Sequence, residues 1–315
     1  MTRYLIRRLI LLALTLLLTS MFIFALTQLL PGDIARLILG RDASPVALEE
    51  FRVANGLDQP IPTQYITWLT NFLRGDWGNS YDRGNFEILP HVMSRLENSL
   101  RLAVYTLLLA VPLAILLGVI AALRRDGLLD SLISIVTLAV VGLPEFVTAI
   151  ILINVLGGAG SPFSSTSFVS SNMAFEDWIR ILTLPALTAT FVLLAYITRM
   201  TRAGMIDELN KAYVRTAILK GLPPRVVIFK HVLRNALLPT ITVIAISMGW
   251  LIGGLVVIEQ VFNYPGIGRE LIQAVKSKNI PLIQALVLLT VFFYAFANLL
   301  ADLVYGMLNP RIRFE

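Results

Sequence analysis

The sequence predicts an all-α polytopic membrane protein with six transmembrane helices, and three observations carry that prediction. Of 315 residues, 57% are hydrophobic and only 15% charged, whereas an ordinary globular domain carries about a quarter charged residues. Six segments are apolar over the roughly 20 residues that a helix needs to cross a bilayer. Lys and Arg are distributed unevenly between the segments joining them.

The spans are expected at 9–30, 102–123, 132–156, 181–197, 236–258 and 282–301, within one transmembrane domain covering 1–315. The first run follows Arg3, Arg7 and Arg8, as a signal peptide would. It is longer than a signal h-region and ends in LLPGD with no small-x-small cleavage site, so it reads as a retained helix. With the N-terminus inside, fifteen Lys and Arg fall on the cytoplasmic side and eleven outside. Seven of the outer ones lie between Arg36 and Arg101, in an external segment that holds nine carboxylates from Asp33 to Glu97. The short loops that set orientation therefore place both termini inside. This topology also accounts for the net charge of +6 without a nucleic-acid partner. The absence of Cys excludes disulfides and thiolate metal sites.

Two connections exceed a simple turn. Residues 31–98 form an external segment. SPVALEEF supplies an N-cap Ser44 and a Pro45 at the first helical position, and Asn55-Gly56 supplies a stop. TQYITWLTNFL places Tyr65, Trp68, Leu69 and Phe72 on one helical stripe, to lie on the bilayer surface or pack on the bundle. Residues 157–171 are Gly/Ser-rich and read as a mobile external loop.

The second long connection is cytoplasmic, residues 199–234. DELNKAYVRTAILK (207–220) reads as a helix ending at Gly221, where a left-handed residue costs least. Leu222 precedes Pro223 and is pushed out of helical geometry, and Pro224 opens a second short helix. Its apolar face is expected at Val226, Phe229, Leu233 and Leu237, with Arg225, Lys230 and Arg234 off it. The result is a rigid apolar elbow without catalytic side chains. Its basic groups could meet anionic lipid; its shape suits a groove on a partner.

Glu145 follows Pro144 about midway through the third apolar run, where a carboxylate costs roughly 2.5–3.5 kcal/mol. It marks a polar pathway or a structural carboxyl beside a Pro kink. Asp302 sits at the inner end of the last span, near Arg311. Glu259 with Tyr264, Pro265 and Gly266 closes the outer end of the fifth. His91 and His231 stand outside any ligand-spaced cluster, and no G-x-x-x-x-G-K-[ST] loop is present. Metal chemistry and autonomous ATP binding are therefore not expected. A membrane enzyme would need a converging nucleophile, base or metal set. An ion-coupled secondary transporter would need several midplane carboxylates, of which only Glu145 is available.

Eight fragments in order give the chain a family resemblance: RYLIRRL, LLPGD (29–33), GLDQPIPTQY (56–65), GDWGNS (75–80), YVRTAILKGL, HVLRNALLP, EQVFNYPGIG (259–268) and DLVYGMLNPRIR (302–313). Together they resemble permease subunits of bacterial ABC importers of the dipeptide/oligopeptide/nickel branch. The family's Glu-Ala-Ala loop appears as Arg215, Thr216, Ala217 and Gly221, with the Glu replaced; Leu238-Pro239 falls later than in the general pattern. The resemblance implies a type I importer fold and ATPase coupling through Arg215, Thr216, Ala217, Gly221 and Leu222. It implies a corner at Glu259, Tyr264, Pro265 and Gly266 facing a binding protein, and a substrate pathway that would include Glu145. Implied partners are a second permease, two cytoplasmic ATPases that bind the ATP, and an extracytoplasmic solute-binding protein in a bacterial plasma membrane. Small peptides are the implied cargo, with nickel, glutathione or another small solute as alternatives.

Overall fold

The computed structural model describes residues 2–28, 34–39, 43–81, 85–158, 160–169 and 173–308. The LLPGD segment and the terminus that holds Arg311 and Arg313 lie outside the described residues. Helices run in the order α1 (Thr2–Gln28), α2 (Ile34–Leu39), α3 (Pro45–Ala54), α4 (Ile61–Leu73), α5 (Ile88–Leu123) and α6 (Leu128–Val141). There follow α7 (Glu145–Leu156), α8 (Phe175–Leu209), α9 (Ala212–Leu219) and α10 (Pro224–Val226), which continues through a π-helical turn at Val227–Val232. The chain then forms α11 (Leu233–Gly254), α12 (Val256–Val261), α13 (Ile267–Ser277) and α14 (Ile280–Leu308). Among the described residues five helices are long and apolar enough to cross a membrane, and six spans result if the bent pair α6–α7 counts as one.

That pair corrects the expected third span. Instead of a kinked continuous helix at 132–156, α6 and α7 meet at 107°. Pro144 lacks an amide hydrogen and drives Leu143 out of helical geometry, so Gly142 ends one helix and Pro144 caps the next. The fourth run also differs: α8 has 35 residues, about 50 Å of helix, so it projects well beyond the apolar stretch 181–197.

The chain divides into two compact units, Ser99–Pro265 with Tyr294–Glu315, and Thr2–Asn98 with Gly266–Phe293. In the first, α8 is the central element and packs most extensively on α11, then on α6 and α7. Leu184, Leu193 and Ile197 of α8 are buried with Leu102 of α5, Leu152 of α7, and Leu251 and Ile258. Small residues allow these backbones to approach, as in other membrane bundles. A Cβ on Gly204 would stand 2.4 Å from the Ala236 carbonyl oxygen, and one on Gly118 would stand 2.6 Å from Thr201 Cβ.

In the second unit, α4 packs against α1 through the stripe read from the sequence. Phe24 lies 5.4 Å from the Tyr65 ring and 5.6 Å from Trp68, and Ser20 Oγ pairs with Tyr65 Oη at 2.8 Å. The α3 boundaries follow their sequence signals: Ser44 Oγ accepts from the Ala47 amide, Pro45 opens the helix, and Gly56 has φ +64°. Asn279 ties the polar turn after α4 to the start of α14, donating to Ser80 Oγ at 2.7 Å and accepting from the Tyr81 amide. Glu270 on α13 binds His91 Nε2 at 2.9 Å and Arg95 Nε at 3.0 Å on α5.

Candidate functional site

The elbow between α8 and α11 forms as the Gly-Pro-Pro sequence dictates, with two differences. Gly221 takes φ +78°. Its amide donates to the Ile218 carbonyl and that of Leu222 to Ala217, so the last carbonyls of α9 are capped by the turn. A Cβ on Gly221 would meet nothing within 4 Å; the backbone angle, not space, selects glycine there. Pro223 caps and Pro224 opens the next helix.

The first difference is that the expected helix 207–220 is broken. Alpha8 stops at Leu209 and Lys211, with ψ 149°, caps α9. Glu208 fixes that break: its carboxylate receives the Lys211 ammonium and accepts from Tyr213 Oη at 2.7 Å. Asn235 Nδ2 approaches the same phenol at 3.5 Å. Burial pushes the Tyr213 phenol up from its ordinary pKa, so it remains a donor. The second difference is the buried face of the following helix. The π-helical turn inserts an extra residue, and the inward positions become Val227, Val232, Ala236 and Thr240. Of the expected set, Val226, Leu233 and Leu237 are half-buried and Phe229 points outward. This helix is also not short, because it runs on into the fifth span.

The elbow thus has two sides. Val214, Val227, Val232 and Met205 are buried together, with Ala217 packed against them. On the other side Ile218, Leu219, Leu222 and Phe229 are 59%, 81%, 38% and 62% exposed. Arg215, Thr216 and Arg225 are exposed alongside. Where α6 begins, Asp130 is buried and accepts from Arg202 Nε and Nη2 of α8, both at 2.6 Å. The base of α8 is thereby clamped from two directions, by Asp130 and through Glu208. An apolar, shape-defined projection held rigidly against two long helices can transmit a push; it offers no group for bond chemistry.

Comparison with known proteins identifies the framework. Residues 114–314 match the family model described as the binding-protein-dependent transport system inner membrane component, and residues 1–110 match its N-terminal companion. The chain belongs to this family of ABC importer permeases. A "Probable peptide ABC transporter permease protein" of Sinorhizobium fredii is 36% identical over 99% of both chains. The glutathione transport system permease protein of Pectobacterium atrosepticum is 37% identical over 100% of both. Among solved structures, a chain of an amino acid ABC transporter crystallised with histidines superposes with a TM-score of 0.51, covering 69% of this chain and 94% of that one at 16% identity. That likeness concerns the fold alone. The protein is accordingly a multi-pass membrane component of an importer served by ATPase and binding-protein partners, and is not itself the ATPase.

The permease's other sequence-derived positions fall out differently. Glu145 is the first residue of α7, half-buried, and among the described residues no group pairs with it. Glu259 and Tyr264 are 1% and 0% exposed, which removes them from any surface of this chain that a binding protein could touch. Glu259 instead accepts from Ser99 Oγ at 2.6 Å, and its backbone carbonyl accepts from the Tyr264 amide at 2.8 Å. Pro265 is half-buried and Gly266 buried. The Gly/Ser-rich stretch is not a free loop over its described part: the Ser167 amide donates to the Phe262 carbonyl and Ser167 Oγ to Ile181. Sequence reasoning missed Ser99, Asp130, Glu208 and Tyr213. Only the Glu208–Lys211 spacing carried a local signal, since helical neighbours three apart face each other.

Proposed function

We propose that this permease pairs with a second, similar permease to form the membrane channel of an importer of small peptides, glutathione-sized tripeptides included. The names of the peptide and glutathione relatives support that cargo. The channel sits in the bacterial plasma membrane with both termini cytoplasmic, as the charge distribution requires. Two ATPase subunits lie beneath it, and an external binding protein delivers the solute. The chain needs no cofactor of its own; ATP is held by the partners.

The carrying observation is the exposed apolar side of the elbow, Ile218, Leu219, Leu222 and Phe229, on a segment clamped to α8. Residues Arg215, Thr216, Ala217, Gly221 and Leu222 form the contact with an ATPase groove. Closure of the ATPase pair moves the elbow and α8 with it, shifting the spans between two arrangements. Glu145, at the break of the third span, faces the pathway.

Reconstitution of the permease with its partners in vesicles tests the reading. Uptake of a labelled tripeptide is expected to require ATP and to ignore an imposed proton gradient. Gradient-driven uptake without ATP would replace this mechanism with ion coupling.

A further inference from the structure

The Thr2–Asn98 and Gly266–Phe293 unit contains an open cleft of about 770 Å³ between α1, α3, α4, the turn after α4 and the start of α14. The elbow and the broken third span contribute nothing to it, and the family comparison gives it no role. Its size falls within the roughly 300–1,000 Å³ of small-ligand sites.

Its chemistry is selective. Eight lining residues carry carboxamides and five carry aromatic rings, while Asp76 is its single acid and no Lys, Arg or His lines it among the described residues. Several polar groups are already used. Gln64 donates to the Leu57 and Gln59 carbonyls and accepts from Gln28, and Gln284 donates to Thr27. Others are left open: neither the Trp68 indole N–H nor the Asn71 carboxamide engages a partner among the described residues. Asp76 uses Oδ1 to accept from the Gly78 amide at 3.1 Å, and no described residue engages Oδ2. Trp77 is held flat against Phe72, with centroids 4.5 Å apart and planes 9° apart, by its N–H bond to the Phe72 carbonyl. That rigidity preserves a shaped apolar wall at low entropic cost on binding.

Carboxamides donate and accept together, as peptide groups do, and aromatic faces receive aliphatic side chains. Among the described lining residues this carboxylate has no compensating cation, which favours an ammonium group and disfavours a carboxylate end. We infer that the cleft binds the amino-terminal end of a short peptide, its ammonium at Asp76 and its first amides at Asn71 and the Trp68 N–H, as a receiving site outside the membrane span. This rests on the peptide-import reading, and adds to it a site for cargo on the permease itself.

The test uses the full chain with its partner permease in lipid nanodiscs, without the binding protein, and equilibrium dialysis of labelled trialanine. Saturable binding in the millimolar range is expected. It should weaken about tenfold in Asp76→Asn, which keeps an acceptor for the Gly78 amide, and similarly in Asn71→Leu. N-acetyl-trialanine should bind wild type as weakly as trialanine binds Asp76→Asn. Ala217→Arg, which disables the elbow, should stop ATP-driven uptake in vesicles reconstituted with all partners while leaving this nanodisc binding intact, so the two readings fail separately. No saturable binding to wild type, binding by either variant as tight as that of wild type, or binding of cellobiose in preference to trialanine would each overturn the assignment.

Discussion

Tyr213 on α9 donates its hydroxyl to Glu208 Oε2 on α8 at 2.7 Å, and that bond, beside the Lys211 contact to the same carboxylate, ties the elbow to α8. A hydrogen bond to a charged group contributes about 1.5–3 kcal/mol. Tyr213→Phe keeps the ring and removes the bond. The expected result is normal membrane abundance and continued ATP hydrolysis by the assembled complex, with uptake per ATP reduced about tenfold. Parallel loss of hydrolysis and uptake would show that the bond stabilises assembly and does not transmit motion.

Shape should outweigh charge at the elbow. Ala217→Arg forces a long cation against the buried cluster of Val214, Val227 and Val232 and so displaces the face that the elbow presents to the proposed partner. Gly221→Val imposes a β-branched residue at φ +78°, a strain of about 1–2 kcal/mol. Both should abolish uptake at unchanged insertion, whereas Arg225→Ala, on the exposed basic side, should be mild. Transport normalised to inserted protein decides between this ranking and the reverse, which a lipid-contacting loop predicts.

The close crossing of α8 and α11 gives a stability prediction. An added methyl at Gly204 meets the Ala236 carbonyl oxygen at 2.4 Å, and backbone cannot swing aside as a side chain can. Gly204→Ala should destabilise by about 1–3 kcal/mol, the ordinary cost of overpacking. A lowered thermal unfolding midpoint in detergent would register it.

Glu270 carries a pH dependence. Burial pushes its carboxyl up, but the His91 hydrogen bond and the charges of Arg95, His91 and Arg269 outweigh that and hold it below the usual carboxylate range. A carboxyl depressed on folding adds stability above its unfolded pKa of about 4.3, and loses it as pH falls through the lower folded value. Glu270→Gln should therefore lower the midpoint at pH 7, and the gap to wild type should close on acidification below pH ~4. Melting curves of both proteins across this range make the comparison.

Orientation is open to a direct check. A reporter placed after Glu315 or within 205–212 should report cytoplasm, and one near Asn79 should report the exterior. An external C-terminal signal would contradict the six-span topology.

The sequence by itself determined the membrane class, the apolar runs, the Ser44–Pro45 start and Asn55-Gly56 stop of α3, and the Gly221-Leu222-Pro223-Pro224 turn. Each follows from hydrophobic length or from a residue's own φ preference, which neighbours a few positions away enforce. Only the tertiary structure decided the 107° break after Val141, the register shift through Val227–Val232 and the burial of Glu259 and Tyr264. A proline signals that a helix must yield without stating the angle, which the surfaces packed on both halves select. A π-helical turn leaves no compositional trace, and one inserted residue rotates every later side chain by about 100°. Glu259 reads as an exposed corner until Ser99, 160 residues away in sequence, supplies the hydroxyl that makes its burial tolerable. Such pairings belong to the fold, because the partners share no periodicity and meet only when the helices pack.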